Sequence, residues 1–460
     1  MIPRRLLPML LVGLPTLGCA STRPTEARAR VGELVAQRSG LDDVIEAERD
    51  ANAQARTDAQ VDRWLTDPLT EDRALRIALL NNRGLRATFE DLGIAQADLV
   101  EAGLLDNPVV GGDLVVSSAG NGLGGGLGLS QSLLSAFLLP AQRRLARARL
   151  QAAIVRVADA SLALVRDVKV AYAHVQWAWA GRTLHRTVVQ AGEVADDLAR
   201  RQHEAGNLTD LEREQIASAL DEARLELADR ELEVTMARET LNRLLGLWGS
   251  QTGWTLAESR PKPVPVPGPG EADLSALEQA GIAQRLDVSA ARYEVEAIER
   301  ALEMRRRGLI PQVEAGVEAR NEVGNDEGHE WVVGPSLSVE LPLFNPGHAD
   351  FARLRAQLRQ AQHRLSQTAI DARSHIRSHR EQLLTARRRA SYMHDVVLPR
   401  QQVLGQRALE RYNAMLIGAY ELLDVRAAQV QARLHYVEAL RDYWVARADL
   451  ERAVGGMLPS

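Results

Sequence analysis

The chain has 460 residues, of which 45% are hydrophobic and 4% aromatic. That apolar share excludes a disordered chain, and scarce aromatics among abundant Ala, Leu, Arg, Glu and Gln favour long helices over an aromatic-centred core. The net charge of -5 becomes -7 without Arg4 and Arg5, 54 basic against 61 acidic side chains, which excludes a basic footprint for nucleic acid.

In chain order, Arg4 and Arg5 precede an apolar stretch from Leu6 to Leu17 and then Thr16-Leu17-Gly18-Cys19. The apolar run is too short to span a bilayer and fits a secretory signal over residues 1–18. Cys19 is the only cysteine, so it has no intrachain disulfide partner, and its place after a small residue resembles a bacterial lipobox. Lipidation at Cys19 is expected, with Ala20 matching the outer-membrane sorting pattern. Residues 19–68 then form a lipidated N-terminal segment with little periodicity beyond a helix near Val31 to Gln37.

Residues 69–248 and 274–455 read as two copies of one unit. Leu85, Ala87 and Pro108 match Val288, Ala290 and Pro311 at an offset of 203. Leu129-Ser130, Leu133, Ala148 and Leu150 match Leu337-Ser338, Leu341, Ala356 and Leu358 at 208, and the stretch from Gly206 to Glu212 matches that from Met415 to Glu421 at 209. Residues 249–273, with Pro261 to Gly270, form a stiff linker, and residues 456–460 a short tail.

Each copy reads as helix, strand, strand, very long helix, turn, long helix. Val110, Leu114 and Val116 oppose Asp113, and Leu127 and Leu129 oppose Gly128 and Ser130, with Gln131 breaking the apolar row. In the second copy Val313, Ala315, Val317 and Ala319 alternate with Gln312, Glu314, Glu318 and Arg320. There too, Trp331, Val333, Leu337, Val339, Leu341 and Leu343 alternate with Ser336, Ser338 and Glu340. Leu354, Leu358, Ala361 and Leu365 make a heptad seam. The span from Gln142 to the Gly206 turn, as one helix, is ~100 Å long, more than a compact domain needs. Two-faced strands beside such helices suggest a transmembrane barrel, and closure needs at least about eight strands, so four per chain demand partner copies.

These residues resemble the TolC family of outer-membrane channels from about 69 to 455. The opening helix Leu69 to Asn82, the second-copy start Arg285 to Val288, the passage Glu340 to Gly347, and Arg411-Tyr412 followed by Glu421 to Asp424 carry the likeness. The family implies a mainly helical fold with a transmembrane β-barrel part: a homotrimer with a twelve-stranded barrel and a helical periplasmic tunnel. It also implies a passive exit duct serving a periplasmic adaptor protein and an inner-membrane pump, with outer-membrane lipid around the barrel. A type I protein-secretion duct, or a coiled-coil structural or adaptor lipoprotein without a channel, is the alternative. By resemblance, Glu421 and Asp424 stand at the channel gate, with Tyr412 and Glu212 as an interhelical latch. Met415 stands where the family usually has Gly.

Catalytic chemistry is not legible. No phosphate-cradling Gly loop or metal-protease helix motif occurs, so no enzyme activity, cofactor or metal site is expected. His375 and His379, one turn apart, sit among Arg373, Arg377 and Arg380, whose charge opposes a cation. His174 among Tyr172, Trp177 and Trp179 reads as packing.

Overall fold

The computed structural model describes residues 22–42, 52–116, 123–266, 273–307, 312–323, 329–340, 344 and 347–458. The signal segment, Cys19, most of the two strand-loop tips, Leu341 and Leu343 lie outside the described residues. The chain divides into two compact units, one of residues 1–27, 90–153 and 290–365 and one of 28–89, 154–289 and 366–460.

The first unit holds a four-stranded antiparallel sheet of β1 (Val109–Val116), β2 (Leu123–Ser132), β3 (Gln312–Val323) and β4 (His329–Glu340), in that spatial order. Pairing β2 with β3 joins the hairpins of the two copies, with Leu129 opposite Val317 and Leu127 opposite Ala319. Register aligns the apolar positions. Val110 faces Leu129, which faces Val317, and Ala315 faces Leu337, so these side chains share one face. Gly316 lets β2 approach closely, since a Cβ there would lie 2.4 Å from the Leu129 carbonyl oxygen.

Outside the sheet the described residues are mainly helical. Two N-terminal helices, α1 (Thr25–Ser39) and α2 (Ala53–Leu65), precede the duplicated part. The first copy supplies α3 (Glu71–Asn81), α4 (Arg83–Glu101), α5 (Leu133–Glu204) and α6 (Asp210–Leu245). The second supplies α7 (Leu274–Gln284), α8 (Leu286–Arg307), α9 (His348–Tyr392), α10 (Leu398–Asn413) and α11 (Ala419–Val454). Of these helices, α4, α5, α8 and α9 each carry residues of both units. Leu277, Ile376, Leu383, Tyr443 and Leu450 form one buried cluster. Val31 and Val35 of α1 are buried, and the Met457 amide donates to the Arg38 carbonyl at 2.9 Å, fastening α1 to the C-terminal end of the second copy.

The duplication extends to backbone detail. The helices α3 and α7 have equal length, capped by Thr70 and Asp273, and both end at an extended residue, Asn82 and Arg285. Gly246 and Gly455 terminate α6 and α11 in the left-handed region. A Cβ would lie 2.7 Å from the Asn81 carbonyl oxygen in one case and 2.9 Å from the Arg285 nitrogen in the other, so Gly is required twice.

Four features differ from the sequence reading. The helix before each strand pair is two helices, because the chain turns at Asn82 and Arg285. The helix α2 was not foreseen, and α5 starts at Leu133, nine residues before Gln142, with Pro140 accommodated inside it. Finally, the long helix of copy two is interrupted by a π-helical turn, Met393–Val397, followed by Pro399. A π-turn inserts one residue into an α-helix. The copies are offset by 208 before it, where Ile376 and Leu383 match the equally buried Val168 and Val175, and by 209 after it, where Ala408 matches Ala199. The extra residue of copy two is therefore taken up in this turn.

Candidate functional site: hairpin tips and open-edged sheet

The α5–α6 and α10–α11 tips share one turn geometry. At the first, the Gly206 and Asn207 amides donate to the His203 and Gln202 carbonyls; at the second, Met415 and Leu416 donate to Tyr412 and Arg411, with all four distances 2.8–2.9 Å. Gly206 has φ 75° and Met415 φ 57°, so Met415 occupies a left-handed position suited to Gly and is the only non-Gly residue with positive φ among the described residues.

The tips differ in how their acids are used. In the first, Thr209 caps α6: its hydroxyl accepts from the Glu212 amide, while the Glu212 carboxylate accepts from the Thr209 amide at 3.0 Å and hydroxyl at 2.7 Å. Those two donors hold the Glu212 carboxyl below the usual carboxylate range. In the second, Gly418 replaces the capping hydroxyl. Glu421, in the first turn of α11, and Asp424, three residues on, are exposed, and neither carboxylate takes part in a hydrogen bond or ion pair among the described residues. Tyr412 is half-buried near the end of α10, and no hydrogen bond joins it to Glu212 in this single chain. The structure thus places Glu421 and Asp424 on one helix face and engages Glu212 in its own helix cap.

The sheet leaves its apolar face uncovered. Val110, Leu114, Leu127, Leu129, Val317, Trp331, Val333, Leu337 and Val339 are all exposed, Leu114 at 80%. The opposite face carries Gly126, Gly128, Ser130, Glu314, Glu318, Ser336 and Ser338, with the exposed Val109 and Val332 among them. Both β1 and β4 have one unpaired edge. No described helix is long and apolar enough to cross a membrane.

Several structural residues went unread in the sequence. Arg285 holds Asp287 through two bonds of 2.9 and 2.5 Å and donates to the Ala453 carbonyl at 3.2 Å, tying the α7–α8 corner to the end of α11. Helices α5 and α11 are joined by Arg166–Asp449 at 2.6 Å, Lys169–Glu451 at 2.7 Å and Asp159–Arg452 at 2.7 Å. The scarcity of lysine was the available signal. Lys169 and Lys262, the only lysines of the chain, line one small pocket with Glu71, Glu258 and Glu451. Burial raises the Glu71 carboxyl there, against the pull of both lysines. Among the described residues no cluster of three or more His, Cys, Asp or Glu could hold a metal. His375 is exposed, and His379 contacts Gln382 at 2.9 Å. His174 packs edge-on against Trp177, and burial lowers its pKa, with Arg441 adding to the effect.

The described elements are duplicated helical hairpins and a four-stranded sheet whose apolar face is exposed and whose β1 and β4 each have one unpaired edge. The family model for outer membrane efflux proteins matches residues 74–247 and 277–456, once on each copy. The chain belongs to the outer membrane efflux protein family. No curated protein matches it. Among solved structures, CusC is 19% identical over 84% of this chain and 92% of its own, with a TM-score of 0.68. The Campylobacter jejuni CmeC outer membrane channel is 15% identical over 85% and 89%, with a TM-score of 0.71. The Vibrio cholerae outer membrane protein VceC is 16% identical over 90% and 100%, with a TM-score of 0.68. These likenesses establish a mainly helical fold with four strands per chain.

Proposed function

We propose that this chain is one of three protomers of an outer-membrane exit duct, conducting passively whatever a periplasmic adaptor and an inner-membrane pump deliver. The sheet carries the reading. An exposed apolar row suits lipid, a Gly-, Ser- and Glu-lined reverse face suits water, and two open edges require strands from other copies. Acyl chains on Cys19 would add a second hold on the membrane. Catalysis has no part in this role, and the energy for transport comes from the pump.

A detergent-extracted complex should have about three times the mass of the 50.5 kDa chain, less the signal segment and plus lipid, and should conduct ions in planar bilayers. A stable monomer retaining full strand content would overturn the proposal. Mass spectrometry of the mature N-terminus should find an acylated Cys19; an unmodified terminus beyond residue 19 would leave the barrel as sole anchor.

A further inference from the structure

Where α5 leaves the sheet, one stripe of the helix changes from apolar to basic. The exposed positions Leu133, Phe137, Pro140, Arg144 and Arg147 recur every three or four residues and so lie on one side of α5. Leu133 and Phe137 continue the exposed apolar character of the strands, and about two turns later the stripe carries arginine. At the offset of 208, Arg147 corresponds to Arg355 and Gln151 to Arg359. Helix α9 therefore bears two arginines on the equivalent stripe, behind the fully exposed Phe344.

These guanidinium groups are not spent inside the chain. The side chains of Arg147, Arg355 and Arg359 are exposed and take part in no hydrogen bond or ion pair among the described residues. Arg144 uses one nitrogen, its Nε donating to the Pro140 carbonyl at 3.1 Å, which folds it back toward the helix start. Helical side chains lean in that direction in any case, here toward the sheet. Nearby acids do not neutralise the stripe. Residues 133–158 contain five arginines and no acid, and residues 348–370 contain four arginines and one acid, Asp350. That carboxylate is held by Arg305 and Arg353, at 3.0 Å each. Asp98 and Glu101 of α4, and Asp106 beyond it, are exposed and form no ion pair among the described residues.

A stripe that runs from exposed apolar side chains to unspent arginines has the polarity of a lipid leaflet, whose acyl region ends in phosphate esters. A guanidinium presents two parallel N–H donors to a phosphate and keeps its charge at such a boundary. Resting on the multi-copy duct proposed above, we infer that Arg144, Arg147, Arg355 and Arg359 form a binding surface for the phosphates of anionic phospholipid. The lipid belongs to the leaflet from which the long helices leave, and in the assembled duct the surface repeats around its circumference. Continuity with Leu133, Phe137 and Phe344 selects lipid over a free anion, which would gain nothing from the apolar part of the stripe.

Native mass spectrometry of the assembled full chain tests this surface. After equilibration with equal amounts of phosphatidylglycerol and phosphatidylcholine in detergent, the retained lipid should be enriched in phosphatidylglycerol about five-fold, the effect of one arginine near a charged leaflet. Arg147→Gln with Arg355→Gln and Arg359→Gln should abolish the enrichment, and Arg147→Lys with Arg355→Lys and Arg359→Lys should keep part of it. Arg149→Gln with Arg156→Gln, two exposed positions on the opposite side of α5, should leave it intact. Inorganic phosphate at millimolar concentration should not displace the lipid; if it does, the ligand is a free anion and the lipid assignment falls. Equal retention of the two lipids by the unaltered chain, or equal loss in both glutamine variants, overturns the surface. The duct reading stands in that case if the same preparation is a multi-chain assembly that conducts in planar bilayers. A monomer by native mass overturns both.

Discussion

Arg285 and Asp287 lie at a backbone corner where a helix ends in extended geometry and another begins two residues later. Burial alone would raise the Asp287 carboxyl, but the Arg285 side chain and the Val288 amide outweigh it and hold it below its ordinary value. A depressed carboxylate contributes stability that is fully present above its unfolded value and lost as pH falls through the folded one, so this corner should loosen in acid below about pH 4. Asp287→Asn should cost about 2 kcal/mol, a charge-assisted pair partly lost, and should flatten the acid limb of the melting temperature against pH. Met415 gives the opposite case. Its left-handed backbone and 93% exposure mean that its side chain contributes little packing to offset the strain. Met415→Gly should stabilise the second tip by about 1 kcal/mol, slowing hydrogen exchange of the Leu416 amide several-fold while that of Asn207 at the first tip stays unchanged.

At the scale of elements, the one-residue mismatch between the copies has a physical home in the π-turn. Gly405 and Ala408 are buried after it, and a Cβ on Gly405 would overlap the Gln429 side chain, so the face that α10 turns to α11 is fixed by the residue count through the turn. Deleting Asp395 should restore a continuous helix and rotate α10 by about 100° relative to α9. Ala408→Cys should react slowly with a maleimide in the full-length helix and rapidly in the deletion. An unchanged labelling rate would mean that the turn relaxes elsewhere. The offsets of 208 and 209 were both legible in the sequence, as were the alternating strands and the tip correspondence of Gly206 with Met415. Periodicity reports faces and counts, so these followed directly. The corner at Asn82 was not read, although Asn and Gly are poor helix formers, because the turn is fixed from elsewhere: Asn81 and Asn82 side chains donate to the carbonyls of Leu244, Leu245 and Gly246. Nor did the sequence mark α2, or show that Arg285, legible there only as part of the second-copy start, donates to the Ala453 carbonyl 168 residues away.

For the whole molecule, the inequality of the two tips bears on what the duct would select. Duplication gives each chain two acids at corresponding positions, Glu212 and Glu421, yet the first is engaged by Thr209 and the second, after Gly418, is not. Glu421 favours its helix start through the dipole alone, a weak interaction that Asp424, a turn further on, shares less. Neither carboxylate is spent on an ion pair, so in a three-chain assembly six would be available to water and ions at the second tips, while three Glu212 carboxylates would remain held in caps. A ring of unspent carboxylates attracts cations into a narrow aqueous throat, and its effect weakens with salt. Glu421→Ala with Asp424→Ala should therefore lower the cation preference measured by reversal potential across a salt gradient in planar bilayers, most clearly at low ionic strength. Glu212→Ala should leave selectivity unchanged and instead loosen the first tip, seen as faster exchange of the α6 first-turn amides. Equal selectivity in the double variant and the unaltered chain would place the constriction elsewhere and leave Glu421 and Asp424 as helix-start residues. A loss of selectivity in Glu212→Ala alone would show that assembly breaks the first cap and brings Glu212 into the conducting path.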